Sequence, residues 1–146
     1  MASKKLIILR GLPGSGKSKI AKQLVGNGVI HSTDSYFMKN GKYVFDVDSV
    51  GKFHGLNLMA SIRSMKKGIS PVIIDNTNIM AFHCIKYVEA GKIYGYEIII
   101  IEPEAPWAFD VEELVKRNTH EVPRDTIVEM LCQYEDPETF KRKLGL

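Results

Sequence analysis

Four short apolar runs punctuate the chain, each bounded by turn-forming or charged residues. Lys5–Leu9 is the first, and it stops at a glycine-rich turn. Val29–Ser32, Pro71–Ile74 and Glu97–Ile101 are the others. Runs this short and this uniformly apolar predict strands buried on both faces, as in a parallel sheet. Between them the apolar residues recur at helical spacing. Lys17–Val25 places Ile20, Ala21, Leu24 and Val25 on one face, with Gly26 as its stop. A long helix is predicted from Ser49 to Lys67, with Phe53, Leu56 and Ala60 in register and Gly68 closing it. Met80–Ala90 reads as a third helix, ended by Gly91.

After the fourth strand the chain turns helical. Val111, Leu114 and Val115 lead into Arg117, and a polar stretch, Asn118–Val122, precedes Pro123 at a helix first turn. Ile127, Met130, Leu131 and Tyr134 then repeat at i, i+3, i+4 and i+7, an amphipathic helix. Pro137 opens a last helix that ends in Lys141-Arg142-Lys143. Residues 37–47 are irregular, with a turn at Asn40-Gly41 and with Tyr43, Val44 and Phe45 as candidate anchors of a flap. Strands alternating with helices at crossover spacing predict an α/β fold: a parallel sheet of four or five strands with helices on both faces. One domain over residues 1–146 accounts for all of it, with residues 111–124 as a helical lid.

The glycine-rich turn after the first run opens the chemistry. Gly11-Leu12-Pro13-Gly14-Ser15-Gly16-Lys17-Ser18 matches the pattern G-x-x-x-x-G-K-[ST], between a predicted strand and a predicted helix. Glycines let backbone N–H groups approach phosphates with no Cβ in the way, and the helix N-terminus adds its positive end. In this pattern Gly11, Pro13, Gly14, Ser15 and Gly16 form the cradle, Lys17 reaches the β- and γ-phosphates, and Ser18 ligates Mg²⁺. A nucleoside triphosphate, ATP in the first instance, and Mg²⁺ are therefore expected.

Two aspartates follow strands, at the edge where parallel sheets bind ligands. Asp75, after the third run, suits a carboxylate that holds Mg²⁺ directly or through water. Asp34, in His31-Ser32-Thr33-Asp34-Ser35-Tyr36, suits a base for an attacking hydroxyl. The alternative for each is a helix cap or an Asx-turn, which the neighbouring G-x-x-x-x-G-K-[ST] pattern weighs against. Asn76, Thr77 and Asn78 either contact an acceptor or shape the turn, and His54 and Asn57 either point into the site or serve structure. Arginine donors stabilise the charge that phosphoryl transfer spreads over the γ-oxygens. Arg117 is the lid candidate and Arg124 the second. Arg63, Lys66 and Lys67 read as a solvated helix end.

Composition adds limits. A net charge of +3 in 146 residues is mildly basic, suits a phosphate-rich ligand, and falls short of a DNA binder's dense basic stripe. Cys84 and Cys132 have no zinc or redox spacing and are expected as buried free thiols in a reducing compartment, the cytoplasm, with the nucleus left open. The longest early apolar run, Leu6–Leu9, is shorter than a signal peptide's core of about 7–15 residues or a membrane span of about 20. No membrane partner and no obligate protein partner are expected.

Together, Arg10-Gly11-Leu12-Pro13-Gly14-Ser15-Gly16-Lys17-Ser18, Ser32-Thr33-Asp34-Ser35-Tyr36-Phe37 and Pro71-Val72-Ile73-Ile74-Asp75-Asn76-Thr77-Asn78 resemble the polynucleotide 5′-hydroxyl kinase-like P-loop family. Glu102-Pro103, Trp107 through Asp110, and Glu113 through Pro123 extend the resemblance, which covers about Leu6 to Glu135. It implies a P-loop kinase with the strands ordered second, third, first, fourth, an arginine-bearing lid, and the 5′ end of a single-stranded nucleic acid as acceptor. By the same resemblance Asp34 activates the 5′-hydroxyl and Arg117 is the lid arginine. Two positions depart from the family's phage member. Phe37 stands where that enzyme has an acceptor-gripping arginine, and Thr119-His120-Glu121 replaces a loop with a second arginine. A kinase for a small metabolite or nucleoside, and a nucleotide-binding module or slow NTPase, remain alternative readings.

Overall fold

The computed structural model describes residues 3–146. Strand β1 (Lys5–Leu9) feeds a loop into helix α1 (Lys17–Leu24). Strand β2 (Val29–His31) leads through a 3₁₀ turn at Thr33–Phe37 into a hairpin, β3 (Met38–Lys39) and β4 (Lys42–Tyr43). Helix α2 (Val50–Lys66), strand β5 (Val72–Asp75), helix α3 (Ile85–Ile93) and strand β6 (Glu97–Ile101) follow. Helices α4 (Val111–Arg117), α5 (Arg124–Gln133) and α6 (Pro137–Lys143) complete the order. No helix among the described residues is long and apolar enough to cross a membrane.

The main sheet runs β2-β5-β1-β6 and is parallel throughout, the order expected from the sequence. Alternation along β1 divides the core. Leu6 and Ile8 pack with Met65, Tyr87, Val88 and Phe140 from α2, α3 and α6. Ile7 and Leu9 pack on the other face with Ala21 and Ile20 of α1. A third cluster, Leu12, Ile79, Leu114 and Ile127, seats α4 and α5 beside the loop after β1. Leu9 pairs with both Asp75 and Ile101, so the loops following β1, β5 and β6 leave the sheet at one level. That edge is where open parallel sheets gather ligands.

Asn40 and Gly41 have φ of 51° and 78°, the left-handed pair that closes a two-residue hairpin whose turn twists with its strands. The flap region is thus a short antiparallel ribbon.

Three expectations need correction. Gly91 does not end α3, which continues to Ile93; a Cβ on Gly91 would lie 2.6 Å from Leu6 Cδ2 and 2.8 Å from Ile98 Cδ1. The glycine lets the helix lie directly on the sheet. The buried stripe of α2 is Asn57, Ser61, Ser64 and Met65, not Phe53, Leu56 and Ala60. Its polar members are hydrogen-bonded: Asn57 Nδ2 donates to Tyr87 Oη (3.0 Å), Ser61 Oγ to the Asn57 carbonyl (2.7 Å), and Ser64 Oγ lies 2.8 Å from His31 Nε2. Satisfied in this way, they are tolerated in the interior. Finally, Cys84 is buried but Cys132 is exposed, since the apolar face of α5 runs through Ile127, Met130 and Leu131 and leaves Cys132 on the far side.

Candidate active site

The loop after β1 is a compact nest. Gly14 and Gly16 have φ of 83° and 106°, which side chains with a Cβ rarely adopt. Gly16 is the N-cap of α1, and no side chain caps the first N–H groups of that helix, which leaves them for an anion. Ser15 is buried and its Oγ has no hydrogen-bond partner. Lys17 Nζ folds back to donate to the Leu12 carbonyl at 3.2 Å. Burial pushes the Lys17 ammonium below its ordinary range, against the raising influence of Asp75 and then Asp34.

Ser18 Oγ donates to Asp75 Oδ2 at 3.0 Å. Burial pushes the Asp75 carboxyl above the usual carboxylate range; the Lys17 charge and the Ser18 hydrogen bond oppose it. A hydroxyl and a carboxylate side by side form an all-oxygen donor set. They fit Mg²⁺, which takes one or two protein ligands and keeps waters and phosphate oxygens for the rest. Among the described residues there is no group of three or more His, Cys, Asp or Glu that could hold a metal by themselves. At neutral pH Asp75→Asn should therefore raise the melting temperature of the nucleotide-free protein, since burial disfavours the ionised carboxylate there. The same substitution should remove the added stabilisation that Mg²⁺ gives over ATP with chelator. Scanning fluorimetry reads both effects.

Asp34 lies in the 3₁₀ turn after β2, its side chain half exposed. Tyr43 Oη of the hairpin donates to Asp34 Oδ1 at 3.4 Å, and His120 Nε2 stands 3.6 Å from Oδ2. The Tyr43 and His120 rings stack, centroids 4.0 Å apart. Burial and then the Asp34 carboxylate push the Tyr43 hydroxyl up to about 12, so it stays a donor at neutral pH. The turn itself is pinned by Thr33 N–H donating to Asn76 Oδ1 (2.9 Å) and by Thr33 Oγ1 against His54 Nδ1 (3.0 Å).

Arg117 closes α4. Its guanidinium lies 3.7 Å over the Trp107 ring, and Nε donates to Glu113 Oε2 at 3.2 Å. Trp107 Nε1 in turn donates to the Gly14 carbonyl at 3.2 Å. The end of α4 also rests on the nest: a Cβ on Gly14 would lie 2.8 Å from the Leu114 carbonyl oxygen.

One cleft of about 780 Å³ collects Pro13, Gly14, Gly16, Lys17, Ser18, Asp34, Asp75 and Arg117. Gly11 and Ser15 sit behind its wall, and Gly11 N–H donates to the Thr77 carbonyl (2.9 Å). Arg124 is not brought to the cleft; its Nε donates to Glu112 Oε1 at 2.8 Å on the exposed side. Asn76, Thr77 and His54 line the cleft, whereas Asn57 is a buried structural group. Asn78 shapes the turn, at φ 46° with Nδ2 donating to the Leu9 carbonyl (2.7 Å). Sequence reasoning missed His120 and Tyr43 as partners of Asp34. The signal was faint: a histidine in the lid loop and a tyrosine beside Asn40-Gly41, 77 residues apart in the chain.

Comparisons place this arrangement among known proteins. NEDD4-binding protein 2 of Homo sapiens is 44% identical over 133 residues, which cover 89% of this chain and 8% of that protein. The 2′,3′-cyclic-nucleotide 3′-phosphodiesterase of Rattus norvegicus is 30% identical over 128 residues, covering 85% of this chain and 30% of the enzyme. The chain thus spans less than a third of the length of either relative. The solved structure of the Pnkp1/Rnl/Hen1 RNA repair complex superposes with a TM-score of 0.71 at 27% identity, over 98% of this chain and 47% of that one. The AAA_33 family model, an AAA domain, matches residues 6–137. With the P-loop, the parallel sheet and the kinase-like cleft in place, the chain belongs to the AAA_33 family of P-loop proteins.

Proposed function

We propose that this chain is a Mg²⁺-ATP-dependent phosphotransferase that moves the γ-phosphoryl to a 5′-hydroxyl of single-stranded RNA or DNA. The observation that carries the reading is the shared cleft: the P-loop, Ser18 and Asp75 lie at one end, and a half-exposed Asp34 opens on the same space. Similarity over nearly the whole chain to a component of an RNA repair complex supports a nucleic-acid acceptor.

The nest and Lys17 bind the triphosphate, and Ser18 and Asp75 hold Mg²⁺, which when bound neutralises charge on the β- and γ-phosphates. Asp34 accepts the proton as the acceptor oxygen forms its bond to phosphorus and the bond to the β,γ-bridging oxygen breaks. Tyr43 holds the Asp34 carboxylate by a hydrogen bond, and the His120 ring stands 3.6 Å from its other oxygen. Arg117, carried by the lid of residues 111–124, supplies donors to the charge that develops on the γ-oxygens. Phe37 takes the place of the arginine expected beside the base. It is buried among Phe45, Phe53 and Tyr43, so it packs the flap rather than gripping phosphate.

The test is transfer of labelled γ-phosphate to single-stranded 5′-hydroxyl RNA and DNA, with Asp34→Asn alongside. The expected outcome is labelled oligonucleotide, reduced roughly a hundredfold or more in the variant, the scale of a lost general base. ATP binding without label on either acceptor sinks the nucleic-acid reading. A second reading, a kinase for a neutral hydroxylated small molecule, draws on the aromatic wall of Phe37, Tyr43 and Phe45 in the cleft. Label on a nucleoside or metabolite panel alone selects it.

A further inference from the structure

We infer that a second cavity, between α2 and the start of α3, is a subsite for the nucleotides that follow the 5′-terminal one in a single-stranded acceptor. The inference rests on the phosphotransferase reading above and extends it along the strand. The cavity measures about 440 Å³ and shares His54, Asn76 and Thr77 with the catalytic cleft, so the two spaces meet at these three residues. A chain entering the cleft by its 5′ end has this cavity as a continuous path outward.

The lining has the chemistry of a single-strand groove. None of its residues is acidic, and they include one full cation, Lys86. Among the described residues, Lys86 has no carboxylate partner. Phe82 is 66% exposed, its ring steeply inclined to the His83 ring with centroids 4.3 Å apart. An exposed aromatic and an ammonium lining one cavity are the two groups that stack a base and hold its phosphate without reading sequence. Burial, and then the charge of His54, push the His83 imidazole below its ordinary range, against Glu135, so His83 offers a neutral N–H donor rather than a second charge.

The opposite wall is kept clear. Gly51 and Gly55 face the cavity from α2, and a Cβ on either would touch nothing within 4 Å. Each helical glycine costs about 1 kcal/mol relative to alanine. No packing contact offsets that cost here, whereas Gly91, in close contact with Leu6 and Ile98, has a packing reason. Clearance for a passing backbone accounts for both α2 glycines.

The experiment uses the whole chain and ten-nucleotide single strands of RNA and of DNA with a 5′-hydroxyl and a 3′ fluorophore, read by anisotropy. Phe82→Ala should weaken binding about tenfold, within the span of one lost base stack, and Phe82→Trp should preserve it. Lys86→Ala should weaken binding and lower the salt slope by about 0.7, one single-strand phosphate contact. Transfer to a nucleoside 3′-phosphate, too short to reach the cavity, should be unchanged in all three variants. Affinities of Phe82→Ala and Lys86→Ala within twofold of the parent for both RNA and DNA overturn the subsite, even where transfer proceeds normally. If no 5′-hydroxyl accepts phosphate but binding still depends on Phe82 and Lys86, the subsite stands and the transfer reading falls.

Discussion

Arg117→Ala should lower kcat for γ-phosphoryl transfer by about a thousandfold while the KM for ATP changes little. An arginine donor at the migrating phosphoryl contributes about 10³–10⁵ in kcat where it has been removed from related chemistry. Its ground-state contacts here are modest. The pair with Glu113 spans consecutive turns of α4 with both side chains partly exposed, and such pairs contribute about 0–1 kcal/mol. The melting temperature should therefore move little, which separates a rate effect from unfolding. Arg117→Lys should not restore the rate, since the flat guanidinium lies on Trp107 and an ammonium cannot reproduce that stacked fork. Retention of more than a tenth of the parent rate in Arg117→Ala would remove Arg117 from the chemistry.

Arg10→Met should destabilise the protein by about 4 kcal/mol, the scale of breaking a buried charge network, out of a total of roughly 5–15 kcal/mol. Arg10 is fully buried one residue before the P-loop. Its Nε donates to the Asn78 carbonyl (3.2 Å), and Nη2 donates to the carbonyls of Ile79 (2.8 Å) and Glu135 (2.7 Å). Nη1 faces Glu102 Oε1 at 3.5 Å, and the guanidinium lies against the rings of Phe140 (3.8 Å) and Tyr134 (4.3 Å). Methionine approximates the volume but leaves the Asn78 and Glu135 carbonyls without the Arg10 donor and removes the positive charge that faces Glu102. Urea unfolding should show a lower midpoint at unchanged slope. A loss below about 1 kcal/mol would mean that Arg10 is not what joins the P-loop to the loop beyond Asp75.

The strands were readable because a strand buried on both faces leaves an uninterrupted apolar run; Leu6–Leu9 and Val72–Ile74 need no partner to be seen. The P-loop was readable for a related reason, since its backbone geometry demands glycine at fixed offsets. Arg10 was not, since its carbonyl partners lie 68, 69 and 125 residues further along the chain. Asn57, Ser61 and Ser64 disguised the inner face of α2 because hydropathy ignores hydrogen bonds made after folding. Gly91 imitated a helix stop because its role is a clearance to Leu6 and Ile98, which local sequence does not encode. Arg124 opens helix α5, and its rotation about that helix, toward Glu112, depends on packing that local sequence does not encode.

Trp107 is the only tryptophan in the chain, and it touches Arg117 on one side and the Gly14 carbonyl on the other. The protein thus carries a native chromophore between the end of α4 and the P-loop. Its emission wavelength and quenching change whenever the arginine leaves the ring or the loop carbonyl turns away. Nucleotide titrations and stopped-flow traces on the unlabelled protein can follow binding from that one indole, with no dye to perturb the cleft.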